Sequence, residues 1–434
     1  MTPAARLAAA IDVFESIQKE RRPAADLLKD WGRAHRFAGS GDRAAIGGLV
    51  FDALRRRASS AWSMGAETAR VVLLGMLRLE RGLDVETIGA LCSGERHAPA
   101  ALSTEERERL SAPFPAGAPA HVLGDYPEWL DPHLAAVFGD ERAEEGAALA
   151  ARAPLDLRVN SLRGTPDKAG EALAHLAPHA GRWSPLALRI DFERDGKAPP
   201  ITAEPAYLKG LVEIQDEGSQ IVAILAAPSR GGQVLDLCAG GGGKTLELAA
   251  LMDNAGQLYA YDADMRRLAP IHERLKRAGV HNVQVRTPRG KADVLEDLEG
   301  RMDLVLVDAP CTGTGTWRRN PDAKWRIRPG ALAERIRDQR AILADAARYV
   351  RPGGRIAYVT CSLLDEENGG QIRDFLGAHA DFRVMPPEET VLALGERGLM
   401  LKRAALAGEE GLLLTPRRTG TDGFFFAMLR RDGR

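Results

Sequence analysis

Cysteine, aromatic residues and net charge are all scarce in this chain. Its 434 residues hold four cysteines, Cys92, Cys238, Cys311 and Cys361. They lie far apart with no CxxC pair, which excludes a disulfide framework and a cysteine-rich zinc site, and reduced thiols are expected. Histidine does not replace them: His175 and His179 are four apart, but Pro178 breaks the helix that would align them, so no metal is expected. Lys+Arg 59 against Asp+Glu 60 leaves a formal charge of −1, so any contact with a polyanion must be local. No apolar run approaches bilayer length, and Met1-Thr2-Pro3-Ala4-Ala5-Arg6 opens an amphipathic segment in place of a signal peptide. A cytoplasmic protein, monomeric and without a membrane partner, is expected. What is present is the balance of a globular chain, 45% hydrophobic and 27% charged, long enough at roughly 100–200 residues per domain for several domains.

From Leu7 to Leu91 apolar residues recur at helical spacing, as in Leu7, Ile11, Phe14 and Ile17, then Ile46, Val50 and Leu54. Pro23 suits the first turn of a second helix, and Gly39-Ser40-Gly41-Asp42 reads as a loop ending in an N-cap. Residues 98–120, rich in Pro, Ala and Ser, read as a linker. Beyond them, extended pieces at 155–159 and 186–190 with a turn at Asp195-Gly196 indicate a small α+β module. From Gln233 short apolar runs alternate with helical segments, the mark of an α/β, doubly wound parallel sheet. The expected division is 1–120 helical, 121–225 α+β and 226–434 α/β.

Ligands of such sheets bind beyond the carboxyl ends of the strands. After the first run stand Cys238, Ala239, Gly240, Gly241, Gly242, Gly243 and Lys244, leading into a helix. A glycine-rich turn at a helix N-terminus lets backbone approach a nucleotide-like ligand. Gly243-Lys244-Thr245 matches the end of a phosphate loop, but that pattern needs glycine where Cys238 stands, and the reading fails on spacing. Asp262, after the second run, lies where an acid commonly takes the ribose hydroxyls of a dinucleotide or adenosyl cofactor. Two further runs end in Asp308-Ala309-Pro310-Cys311 and Thr360-Cys361-Ser362. A cysteine is often only a small buried apolar residue, the reading that fits Cys92. Two thiols at strand ends beside a glycine turn and two acids suggest covalent chemistry instead. Cytosine is a substrate that needs it: carbon 5 is too poor a nucleophile to take a methyl group until a thiolate adds at carbon 6.

Residues 214–220, 234–245, 308–322, 358–368 and 422–425 carry motifs in an order that resembles the RNA 5-methylcytosine methyltransferases of the bacterial ribosomal-RNA branch. The resemblance runs from about Tyr126 to the end of the chain; residues up to about 110 resemble, more weakly, the helical RNA-binding domain of the antitermination factor NusB. It implies a Rossmann-like catalytic domain using S-adenosylmethionine, preceded by the α+β module and the helical domain. It also implies Cys361 as nucleophile, Cys311 as the thiol that helps break down the adduct, and Asp308 near the cytosine edge and the methyl. The turn from Cys238 to Lys244, with Asp262 and Asp308, would hold the cofactor. Two departures stand out: Gly240-Gly241 replaces the usual Ala-Pro, and Thr287-Pro288-Arg289 carries no acid after the third strand, the next being Asp293.

The segment from Trp317 to Arg328 is basic and holds two tryptophans, so Arg318, Arg319, Lys324 and Trp325 are expected to grip RNA phosphates and stack on bases. Arg55-Arg56-Arg57 is a weaker candidate, and Phe424 to Phe426 read as a buried last strand. The rival readings are a non-catalytic RNA-binding or ribosome-assembly protein on the same fold, an NAD-dependent oxidoreductase, and a DNA methyltransferase.

Overall fold

The computed structural model describes residues 1–191, 199–290 and 292–433; the expected turn at Asp195-Gly196 lies outside them. The chain forms two compact units, one of Met1–Arg152 with Trp317–Arg328 and one of the remaining described residues.

The first unit is helical. Thr2 Oγ1 accepts from Ala5 N at 3.2 Å to start helix Pro3–Glu20, whose Leu7, Val13, Phe14 and Ile17 share a core with Ile46, Val50 and Leu73. Pro23 caps helix Ala24–Ala34 from outside its first turn. The third helix begins at Ser40, so Asp42 is not its N-cap: it sits within the first turn and accepts from Gly39 N at 3.2 Å. The stretch read as a linker contains helix Thr104–Ser111. Ser103 and Glu106 cap it reciprocally, at 3.1 and 2.9 Å, and Arg70 docks it on Glu106 at 2.7 Å. The helical unit also runs past 120. Buried Asp125 accepts from Ser59 N at 2.9 Å and Ser59 Oγ at 2.8 Å, tying this part of the chain to the helical core instead of the α+β module.

In the second unit β1 (Leu155–Val159), β2 (His179–Ala180), β3 (Ala187–Ile190) and β4 (Val212–Ile214) form an antiparallel sheet in the order β2-β3-β1-β4. The larger sheet holds β5 (Gln233–Asp236), β6 (Gln257–Tyr261), β7 (Val283–Arg286), β8 (Met302–Asp308), β9 (Val350–Thr360), β10 (Phe382–Met385), β11 (Leu406–Ala407), β12 (Leu412–Leu414) and β13 (Phe424–Arg431). Its order is β11-β12-β13-β9-β8-β5-β6-β7, with β10 also paired to β13. Strands β5 to β9 are parallel, and β13 joins β9 antiparallel as the buried strand expected of Phe424 to Phe426. Their apolar runs are continuous because both faces are covered: Leu304, Leu306, Ala357 and Val359 are buried on one face, and the alternating Val305, Val307, Ile356 and Tyr358 on the other. The chain passes from β5 to β6 on one side and later returns to β8 on the other, which opens the crevice where such sheets bind ligands. No helix among the described residues is long and apolar enough to cross a membrane.

At that edge two loops cross backbone to backbone. Gly315 N donates to Cys361 O at 2.9 Å, Gly423 N donates to Gly315 O at 2.8 Å, and a Cβ on Gly315 would stand 2.3 Å from Gly423 O. Since neither backbone can retreat alone, Gly315→Ala is expected to destabilise this unit by about 1–3 kcal/mol. Urea denaturation checks this, and an unchanged midpoint would contradict it.

Candidate active site

The glycine turn follows β5 and leads into helix Gly243–Leu251. Gly240 (φ 50°) and Gly242 (φ 84°) are left-handed, and a Cβ on Gly242 would lie 2.5 Å from Ile271 Cγ1, so glycine is required there for both reasons. Asp262, buried just past β6, accepts from Gly240 N and Asp264 N, each at 2.9 Å, while Ala239 N donates to Tyr261 O at 2.8 Å. The sequence-predicted turn and acid therefore meet. Asp236, at the end of β5, accepts from Thr245 Oγ1 at 2.7 Å, and burial pushes its carboxyl up to about 7. Burial raises the Cys238 thiol well above its usual range, which fits a packing role better than a reactive one.

Lys244 reaches across to Asp308, Nζ to Oδ2 at 2.7 Å, and lies 5.2 Å from the centre of the Phe424 ring. Burial alone would weaken its ammonium; the negative charge of Asp308, with Cys361 and Asp236, outweighs that and raises its pKa. Lys244 thus stays a cation at neutral pH. Two and three residues beyond the paired strand ends Val359 and Asp308, the sulfurs of Cys361 and Cys311 stand 3.4 Å apart. Contact with Cys361 and then burial push the Cys311 thiol well up, so Cys311 is held protonated. Both are free thiols.

The sequence reading missed Glu367, which fixes these two loops. Fully buried, it accepts from Thr312 N at 2.8 Å, the Thr312 hydroxyl, the Ser362 hydroxyl and Gln339 Nε2 at 3.0 Å. Its only signal is the acidic run Asp365-Glu366-Glu367, which does not say which acid turns inward. Also missed were Arg158 and Arg274, whose guanidinium groups reach carbonyls of the glycine turn.

The basic segment needs correction. Lys324 is 1% exposed and donates to Arg55 O at 3.0 Å; burial pulls its pKa down to about 7, against the pull of Asp125. Trp325 donates from Nε1 to Leu54 O at 2.7 Å and packs on the helical core. Arg318 is buried, whereas Arg319 is exposed. Lys324 and Trp325 are therefore pieces of the helical unit, not a phosphate grip and stacking platform. The arginine triplet also turns inward: Arg55 donates to Ala151 O at 3.0 Å, Arg56 pairs with Glu80 at 2.8 Å, and Arg57 lies over Trp325. Asp293, the first acid after β7, pairs with Arg348 at 3.3 Å and accepts from Leu295 N at 3.0 Å.

Residues 223–430 match the family model described as 16S rRNA methyltransferase RsmB/F. The chain is 33% identical over 351 residues to ribosomal RNA small subunit methyltransferase B of Sodalis glossinidius, covering 79% of this chain and 72% of that protein. It is 31% identical over 414 residues to the protein of the same name from Xanthomonas campestris pv. campestris, covering 89% of each. The crystal structure of PH0851 is similar with a TM-score of 0.74 at 25% identity, over 99% of both chains. Identity of that extent, spanning most of the chain, makes this protein a member of the ribosomal RNA small subunit methyltransferase B family.

Proposed function

We propose that the protein methylates carbon 5 of a cytosine in small-subunit ribosomal RNA, with S-adenosylmethionine as donor and Cys361 as nucleophile. The observation that carries this reading is the pair of sulfurs 3.4 Å apart at the ends of two adjacent parallel strands, with Asp308 close by on Lys244. S-adenosylmethionine supplies an electrophilic methyl. The donor set suits it: a turn with left-handed glycines, buried Asp262 at its rim with lone pairs to spare for ribose hydroxyls, and a partly open Asp308.

Of the two sulfurs, the family resemblance gives the addition to carbon 6 of the ring to Cys361, and Cys311 stands beside it at 3.4 Å. That addition moves an electron pair to carbon 5, which then takes the methyl. Carbon 5 then gives its proton to solvent water, and the electron pair of that bond re-forms the ring double bond as the bond from carbon 6 to sulfur breaks and expels the Cys361 thiolate, with Cys311 placed beside the departing sulfur. The Lys244 cation holds Asp308 in place and keeps positive charge beside Cys361. The ring must be open on both faces, so the substrate cytosine is one that can leave its stack. The helical unit is the proposed second contact with RNA, with exposed Arg319 as a phosphate ligand.

Cys361→Ala is expected to abolish methyl transfer to a cytosine-containing fragment of the ribosomal RNA. Cys311→Ala is expected to leave a covalent protein–RNA adduct that survives denaturing electrophoresis. Full activity of Cys361→Ala would overturn the assignment, and a wild-type protein that binds RNA without transferring a methyl would favour a non-catalytic assembly role. For binding, Arg319→Ala should reduce the slope of log K against log salt by about 0.7 per phosphate contact on single-stranded RNA, while Lys324→Met should leave that slope unchanged. Fluorescence anisotropy across a salt series measures both.

A further inference from the structure

Four consecutive glycines, Gly240 to Gly243, form the turn that the cofactor reading needs to be rigid. Glycine loses more conformational freedom on ordering than any other residue, so something outside the turn must hold it. Two arginines reach it. Arg274, on helix Ile271–Ala278, donates from Nη1 to Gly241 O at 2.6 Å, and its Nη2 donates to Glu213 Oε2 on β4 at 3.0 Å. Arg158, on β1, donates to Gly243 O at 2.8 Å and pairs with Glu247 at 3.2 Å. Both carboxylates are buried, which fixes the arginines in turn. Among the described residues, its chain neighbours apart, a Cβ built on Gly241 meets one atom within 4 Å, Arg274 Nη1 at 3.3 Å. The guanidinium therefore closes on the space a side chain would fill.

We propose that Arg274, oriented by Glu213, is a positioning residue that holds the glycine turn in its cofactor-binding shape from outside. It takes the place of side-chain stiffness that the turn itself lacks. This rests on the proposed role of the turn in binding S-adenosylmethionine. Arg158 fixes the far end of the turn in the same manner, but its full burial makes it the poorer choice for substitution. Arg274 is the cleaner one, because Glu213 keeps Arg277 at 2.5 Å when Arg274 is removed and no buried carboxylate is stranded.

The test uses the full chain as wild type, Arg274→Met, and Arg274→Met with Gly241→Ala. Calorimetry with S-adenosylmethionine, hydrogen exchange of residues 239–243 without it, and kcat against KM for the cofactor are measured on each. Losing one charge-assisted hydrogen bond is expected to weaken binding and raise KM by about tenfold, with kcat at saturation unchanged. Exchange in the turn should quicken in parallel. Alanine at 241, with Arg274 gone, should recover about threefold of the affinity by narrowing the freedom of the unbound turn. Wild-type affinity and exchange in Arg274→Met would overturn the proposal, as would a loss of affinity matched by a general loss of thermal stability and no recovery in the double variant. Faster exchange in the turn of Arg274→Met, together with a wild type that fails to bind S-adenosylmethionine, would sink the cofactor reading and leave the brace itself demonstrated.

Discussion

A single buried carboxylate holds the chemistry of this protein together. Glu367 has no access to water and satisfies its oxygens with donors from both thiol-bearing loops, Thr312 after Cys311 and Ser362 after Cys361. A buried acid with several partners is costly to leave half-satisfied, so the two loops cannot drift independently. Tyr358 adds a bond from its hydroxyl to the Glu367 carbonyl at 2.7 Å, and Asn368 ties back to Ser362 O at 2.9 Å. The 3.4 Å between the sulfurs is thus the result of a network, and the network is built from residues other than the two cysteines.

The other half of the edge is electrostatic. Lys244 comes from the helix after the glycine turn, Asp308 from the end of β8, and their contact joins the glycine-turn side of the crevice to the thiol side. The cation is sheltered from solvent yet kept charged by its anionic neighbours, the condition under which a fixed charge acts most strongly on a reacting group.

Much of this was legible in the sequence, and the reasons for the failures are specific. The parallel strands β5 to β9 showed as short apolar runs because both of their faces are buried, and the turn, Asp262, Asp308 and both cysteines followed from asking what comes after each run. Strands β11 and β12, two and three residues long, were too short for any period to show. The helix at Thr104–Ser111 was hidden under a Pro, Ala and Ser composition, although Ser103 and Glu106 spelled out its cap. The basic segment misled because a charge states its sign and not its direction: the ammonium of Lys324 and the indole N–H of Trp325 serve as donors to carbonyls at the end of helix Ser40–Arg55, far off in the chain. Glu213 and Arg274 lie 61 residues apart in the chain, and no local pattern announces such a pair.

The register of the sheet has a consequence for how this chain can change in length. Asp308 pairs with Val359 across β8 and β9, and neighbouring strands sit about 4.8 Å apart, so the gap between the sulfurs is inherited from backbone spacing plus three residues on one side and two on the other. Adding or deleting even one residue between strand end and cysteine would slide one sulfur past the other. The connection from β8 to β9 is held as well: between the thiol loop and helix Pro329–Tyr349 it runs through Trp317–Arg328, where Lys324 donates to Arg55 O and Trp325 to Leu54 O. Natural length variation should therefore stop abruptly at Pro310 and Thr360 and stay out of Trp317–Arg328.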